Sequence, residues 1–98
     1  MAMDRDTRFA VRDGVMFNRV GDELVLLDLD HGTYLGLDPI GSRFWELITT
    51  TSSLGEALDT LLGEYEVTPA ELEADIDALI GDLEKNALLV RQEPNGYA

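Results

Sequence analysis

The chain has 98 residues, of which 45% are hydrophobic, and this is enough for one domain with one core. Twenty acidic residues outnumber seven basic ones, and the formal net charge of −13 disfavours nucleic acid or an anionic membrane as a partner. The sequence contains no cysteine and one histidine, which excludes disulfides, thiolate metal sites and multi-histidine metal cages. No segment has the roughly 18 apolar residues of a membrane span, and the N-terminus does not resemble a secretion signal, so we expect a cytoplasmic protein.

The first half of the chain predicts three antiparallel strands in a meander. Val15–Val20 and Glu23–Leu29 flank Gly21-Asp22, a dipeptide that suits a tight hairpin turn. A second turn at residues 30–32 leads into the third strand, Thr33–Leu37. Because Glu23–Leu29 is nearly continuous in apolar residues, we expect it in the middle of the sheet.

The second half predicts three helices, each with a start signal. Asp38 and Pro39 begin the first helix, which runs to about Thr49. Ser53 and Thr68 begin the other two, each followed three residues later by the glutamate of a capping box. The third helix has the clearest amphipathic spacing, carried by Leu72, Ile76, Leu79, Ile80, Leu83 and Ala87.

The order of these elements predicts an α+β fold, with the helices packed on one side of a small sheet. We expect a single domain over residues 1–98, with an ordered core at about 15–91. Leu88–Arg91 is interpreted either as a short final strand or as a simple extension, and Glu93–Ala98 as a frayed tail. Three helices and a hairpin sheet are also the parts of a winged helix-turn-helix, whose usual ligand, DNA, conflicts with the charge.

One cluster, formed by Asp28, Asp30 and His31, has the residue types of a metal or catalytic site. An EF-hand loop beginning at Asp28 would place its final glutamate at Pro39, so that interpretation fails. We interpret the cluster as polar residues that close a hairpin. Neither a nucleophile elbow nor a phosphate-binding loop occurs, and most carboxylates fall on the solvent side of predicted helices. The sequence therefore predicts a binding module without catalysis, metal or cofactor.

The third predicted strand has few features that would protect a free edge. Its surroundings, GTYLGL, contain no charge and no proline, and an unprotected edge is either a liability or a docking site for an extended peptide. Trp45 is interpreted as a core residue, whereas for Tyr34 packing and docking both stay open.

The run from Leu26 to Ile48 resembles the PqqD-like family. That family shows a hydrophobic strand, a turn, the pattern G-x-Y-x-x-L-[ND]-x-x-G and then an aromatic-rich helix. The resemblance extends over about Val15 to Val90. The matching positions are Gly32, Tyr34, Leu37, Asp38, Gly41, Trp45 and Leu47.

The resemblance implies a recognition element for ribosomally synthesised, post-translationally modified peptides (RiPPs). Such domains resemble a winged helix, and they bind the leader of a precursor peptide as an added strand. The size and the Asp-Pro pair are most similar to the stand-alone leader-binding proteins of lasso-peptide pathways, which work with a separate leader peptidase and a cyclase. A second type within the family escorts its precursor to a radical-SAM enzyme. Outside this function, a winged-helix regulator and a protein-docking domain stay possible.

The resemblance also implies which residues contact the peptide. On the third helix, a carboxylate at Asp75 would suit a leader that carries Lys or Arg. The periodicity alone does not tell which apolar residues of this helix face the peptide and which face the core. The expected contacts are Gly32, Thr33, Tyr34, Leu35 and Gly36 on the strand, and Leu72, Asp75, Ile76 and Leu79 on the helix.

Overall fold

The structure is a computed structural model that describes residues 4–50 and 52–92. Five strands and three helices follow one another within these residues. In chain order they are β1 (Arg8–Val11), β2 (Val15–Val20), β3 (Glu23–Asp28), β4 (Thr33–Leu37), α1 (Pro39–Thr50), α2 (Leu54–Glu64), α3 (Pro69–Lys85) and β5 (Leu89–Gln92).

The main sheet is the predicted antiparallel meander, in the order β2-β3-β4, and β3 lies in the middle as expected. A two-residue turn joins β2 to β3, and Gly21 takes the left-handed φ of +66° that such a turn needs. Gly32, with a φ of +67°, ends the turn between β3 and β4, and its amide donates to the carbonyl of Asp28 at 2.8 Å.

The helix start signals are confirmed. α1 begins at Pro39, and the capping boxes of α2 and α3 are both complete, with Ser53 and Thr68 as the N-cap residues. α3 is shorter than its apolar pattern predicted: it ends at Lys85, and Ala87 takes a left-handed φ of +59°. This change of direction leads the chain from the helix into β5.

A second, two-stranded sheet pairs β1 with β5, and the sequence did not predict β1. Phe9 of this strand and Thr7 before it are buried, so residues before Val15 also pack against the helices. The carbonyls of Thr7 and Arg5 accept the amides of Leu54 and Gly55, both at 2.8 Å. The N-terminal segment therefore satisfies two free amides at the start of α2.

The core lies between the helices and one face of the main sheet. Phe44 and Trp45 of α1 are fully buried there, together with Leu24 and Leu26 of β3. Ser42 joins the two layers: its hydroxyl accepts the amide of Leu24 at 2.7 Å and donates to the carbonyl of Leu37 at 3.2 Å. Trp45 is thus a core residue, as its position in the helix indicated.

The α+β fold, with a three-stranded meander followed by three helices, is confirmed. The last segment was interpreted either as a short strand or as a simple extension, and the structure shows a strand at Leu89–Gln92. Among the helices of the described ranges, none is long and apolar enough to cross a membrane. The predicted tail, Glu93–Ala98, lies outside the described residues.

Candidate functional site

The strand β4 is an edge of the main sheet, paired with β3 on one side only. Its side chains alternate between the two faces, as the strand period requires. Leu35 and Leu37 point to the helices and the core, whereas Tyr34 and Gly36 are exposed on the opposite face. Thr33 begins the strand opposite Asp28.

Successive residues of β4 direct their backbone amide and carbonyl groups alternately toward β3 and away from the sheet. The hydrogen bonds of β3 show which residues point in which direction. The amide of Leu24 points toward β4, where Ser42 bridges it to the carbonyl of Leu37. Hydrogen-bonded and non-hydrogen-bonded pairs alternate along an antiparallel ladder. Leu35 lies two residues before Leu37, so it also directs its amide and carbonyl to β3. The amides and carbonyls of Tyr34 and Gly36 then point away from the sheet, at the free edge.

A groove with a volume of about 190 Å³ lies beside this edge, between the end of β4, the start of α1 and α3. Its apolar part consists of aliphatic side chains, among which Ile76 is buried and Leu79 is half-buried. The lining residues are Gly36, Leu37, Asp38, Ile40, Gly41, Asp75, Ile76 and Leu79.

Gly41 allows α1 and α3 to approach each other at the floor of the groove. A Cβ atom at this position would lie 3.1 Å from Asp38 Oδ1 and 3.3 Å from Leu79 Cδ2. Both distances are shorter than ordinary contacts between carbon or oxygen atoms. The glycine of the sequence motif therefore has a packing role at the site.

The charged side chains that line the groove are both carboxylates, Asp38 and Asp75. Asp38 acts as the N-cap residue of α1, because its Oδ1 accepts a hydrogen bond from the amide of Gly41 at 2.7 Å. Asp75 is exposed on α3. The groove thus combines an apolar floor with a negative rim.

The structure separates the nine predicted contact residues into three groups. Gly36, Asp75, Ile76 and Leu79 line the groove together. Gly32, Thr33, Tyr34 and Leu35 follow the turn and the edge strand outside the groove lining. Leu72 is only 1% exposed and belongs to the core, so it presents no surface to a ligand in this structure.

Four groove residues were not among the predicted contacts: Leu37, Asp38, Ile40 and Gly41. Their positions around the start of α1 indicated an anchor for the edge strand rather than a surface. The signal that could have identified them is Gly41, because a glycine inside a predicted helix is less favourable than alanine and calls for a packing reason.

The cluster at the β3–β4 turn has a structural role in this geometry. Asp28 is buried, and its carboxylate accepts the amides of Asp30 and His31 and lies 2.7 Å from His31 Nδ1. The hydrogen bond with the His31 side chain is the main reason why the pKa of Asp28 is lowered. Across the described ranges, no three His, Cys, Asp or Glu side chains gather as metal ligands would. The carboxylate closes the turn that precedes β4.

Fold and groove together define a winged-helix-like α+β domain with a free strand edge beside an apolar groove. Residues 23–89 match the family described as coenzyme PQQ synthesis protein D (PqqD). This match spans more than half of the chain, and the chain therefore belongs to the PqqD family. A search of curated proteins gave no match.

Two solved structures share this fold. The first, TbiB1 in complex with the TbiA(beta) leader peptide, is 36% identical, with 91% of this chain and 98% of that chain covered and a TM-score of 0.75. The second, lasso peptide synthetase B1 complexed with the leader peptide, is 26% identical, with 85% and 98% covered and a TM-score of 0.77.

Proposed function

We propose that this protein binds the leader segment of a ribosomally synthesised precursor peptide of the lasso type. It then presents the bound peptide to a separate leader peptidase and to a cyclase. The observation that carries this proposal is the free edge of β4 beside the groove of α3. Two solved structures of the same fold contain leader peptides, and this supports the proposal.

The leader adds to β4 as a further strand of the main sheet. The outward amides and carbonyls of Tyr34 and Gly36 offer two donors and two acceptors, which alternate residues of an extended peptide can pair with. Side chains on the inner face of the added strand then enter the groove, where Leu79 and Ile76 provide apolar contact. Backbone pairing contributes affinity, and the groove contributes sequence preference.

The charge of the groove favours a leader with Lys or Arg near its apolar anchors. Asp75 and Asp38 are the charged lining residues, and the whole chain adds a negative field. Such complementarity accelerates association and rejects acidic peptides more than it adds affinity. We therefore expect leader binding to weaken as salt concentration rises.

The protein acts by binding, in the cytoplasm, as a single domain without chemistry of its own. In support of this, the His31 side chain is hydrogen-bonded to the Asp28 carboxylate at the turn, and it is not among the residues that line the groove. Bond-making and bond-breaking steps then belong to the partner enzymes. The protein needs no cofactor for this role.

The second candidate function is that of a peptide chaperone for a radical-SAM enzyme, as in the assembly of pyrroloquinoline quinone. The family match over residues 23–89 favours it. Both functions use the same edge and groove, and they differ in the precursor and in the enzyme that receives it. Binding to a lasso-type leader but not to a pyrroloquinoline-quinone precursor would decide for the first.

The test is a titration of fluorescently labelled leader, measured by anisotropy. Two probes are used: the TbiA(beta) leader and the leader peptide of the lasso peptide synthetase B1 complex, each with its scrambled sequence. We expect saturable binding of at least one leader and a clear preference over its scramble. Equal affinity for leader and scramble would contradict the proposal.

Asp75→Lys tests the charge of the groove in the same assay, with Asp77→Lys as a matched control. Asp77 is also exposed on α3 but lies two residues away, about 200° around the helix. Both variants change the net charge equally, so a larger loss of affinity for Asp75→Lys isolates the local contribution at the groove.

A further inference from the structure

The main sheet has an outer face that the helices do not cover. Side-chain alternation and strand register place Met16, Leu27 and Tyr34 in one row across all three strands. Met16 is 55% and Tyr34 76% exposed, and Leu27 is half-buried between them. Val25 and Val20, the latter 66% exposed, lie on the same face, where the polar Asn18 stands between Met16 and Val20 and opposite Val25. We call the five apolar residues the outer apolar face.

The outer apolar face is separate from the core. The buried side chains of β3, Leu24 and Leu26, point to the helices, and Phe17 of β2 also lies on that side, with its ring 6.4 Å from Trp45. An exposed apolar row across three strands is typical of an interaction site. Single exposed apolar residues are common, but a row of three across three strands is not explained in that way.

Carboxylates stand at both ends of the outer apolar face. Asp22 and Glu23 lie at the β2–β3 turn, and Asp13 and Asp30 lie at the opposite end. Arg19, the cation of β2, is on the other side of the sheet, where it pairs with Glu46. A surface that fits here is apolar in its centre and carries Lys or Arg around it. A second copy of this chain does not fit, because each copy has a net charge of −13.

The outer apolar face also adjoins the edge where the leader is proposed to bind. Tyr34 belongs to both: its backbone points from the free edge, and its side chain lies on the outer face. A protein docked on this face therefore lies next to the added strand. Anchors of this kind are frequently tyrosines surrounded by weaker contacts.

We propose that the outer apolar face docks the leader peptidase, through an apolar surface of that enzyme rimmed by basic side chains. This inference rests on the proposed leader binding and adds the surface by which the bound peptide reaches its enzyme. Tyr34 then acts twice, through its backbone toward the leader and through its side chain toward the peptidase.

The experiment measures two affinities for each variant: that of the labelled leader for the protein, and that of the purified leader peptidase for the leader-loaded protein. The variants are Met16→Ser and Val20→Thr on the outer apolar face, both on β2 and outside the groove lining. The matched control is Val90→Thr on β5, which is also an exposed apolar strand residue, 48% exposed. Circular dichroism checks the fold of all three.

We expect Met16→Ser and Val20→Thr to weaken peptidase binding about tenfold each, with leader affinity unchanged and Val90→Thr neutral in both assays. Glu23→Lys should also weaken peptidase binding, most at low salt. Unchanged peptidase affinity in the two face variants, an equal loss of leader affinity, or no peptidase binding by the leader-loaded wild type would each overturn the inference. Failure of the wild type to bind any leader would instead overturn the proposed function.

Discussion

At the scale of single residues, Gly41 controls the width of the proposed leader groove. Gly41→Ala would place a methyl group 3.3 Å from Leu79 Cδ2, and Leu79 is a half-buried residue of the groove lining. An added methyl group in a well-packed core costs about 1–3 kcal/mol, and here it would also narrow the floor of the groove. We expect leader affinity to fall about tenfold, measured by anisotropy.

Gly81→Ala is the matched control for this change. Gly81 lies in α3, and a Cβ atom there meets no other atom within 4 Å. Alanine in a helix is favoured over glycine by about 1 kcal/mol, so Gly81→Ala should raise the melting temperature without affecting leader binding. Retained leader affinity in Gly41→Ala would show that the groove floor does not contact the peptide.

Leu72 and Leu79 show what periodicity can and cannot predict at this scale. Both belong to the apolar stripe of α3, and the stripe was correctly predicted. Leu72 is buried in the core, whereas Leu79 lines the groove. The apolar stripe of α3 is wider than the surface that the core covers. The angle at which α3 crosses the sheet decides which residues of the stripe stay uncovered. The crossing angle depends on contacts between distant elements, so the periodicity of one helix does not predict it.

At the scale of elements, β4 is the strand whose backbone is proposed to receive the leader. Gly36→Pro would remove an amide that points from the free edge, and proline is tolerated at such positions in edge strands. A Cβ atom at Gly36 would have no neighbour within 4 Å, and the Cδ atom of proline would replace an amide hydrogen that points from the free edge. We expect leader affinity to fall at least about tenfold while the domain stays folded.

The control for this prediction is Leu35→Pro, one position earlier. The amide of Leu35 points to β3, so its loss breaks a bond within the sheet. Leu35→Pro should lower the melting temperature strongly, and Gly36→Pro should lower it little. If the two variants destabilise the domain equally, the assignment of inward and outward amides is wrong.

The start of α3 allows a prediction about pH. The backbone amide of Thr68, and then its hydroxyl, hydrogen-bond the Glu71 carboxylate and lower the pKa of Glu71. A carboxyl group with a lowered pKa stabilises the fold at pH values above its ordinary pKa of about 4.3, and this stabilisation is lost as pH falls through the folded pKa. Glu56 in α2 has a lowered pKa for the same reason, with Ser53 as partner.

Glu71→Gln should therefore be less stable than the wild type at pH 7, and the difference should shrink as the pH approaches 3. Urea denaturation at several pH values measures it. Thr68→Ala, which removes the other half of the capping box, should cost about 1 kcal/mol at pH 7. A constant difference between Glu71→Gln and the wild type at all pH values would contradict this account.

Most elements could be predicted because their signals are local. The turn at Gly21, the cap at Thr68 and the alternation in β3 each need only a few neighbouring residues. The strand β1 could not, since it has four residues and its partner β5 is about 80 positions away in the sequence. Its burial depends on the long-range contact of Phe9 with the core, which no local pattern encodes.

At the scale of the whole molecule, the attraction within ion pairs is weaker than the repulsion among the surplus carboxylates. Exposed ion pairs such as Arg5–Asp59 and Arg43–Glu64 add little to stability, because water and salt screen them. Against them stands a formal net charge of −13 on a domain with a radius of gyration of 13.1 Å. The surplus carboxylates repel one another across the whole surface, so repulsion outweighs the pairs.

The stability of the domain should therefore increase when salt is added at low concentration. At about 0.01 M ionic strength the Debye length is about 30 Å, longer than the radius of gyration of 13.1 Å, and at about 0.1 M it falls to about 10 Å. We expect the melting temperature to rise over this range, equally in sodium and choline chloride because screening does not depend on the cation. Glu73→Lys, which changes the net charge from −13 to −11 by replacing one negative charge with a positive one, should show a smaller rise. A melting temperature that falls with salt would mean that the ion pairs outweigh the repulsion.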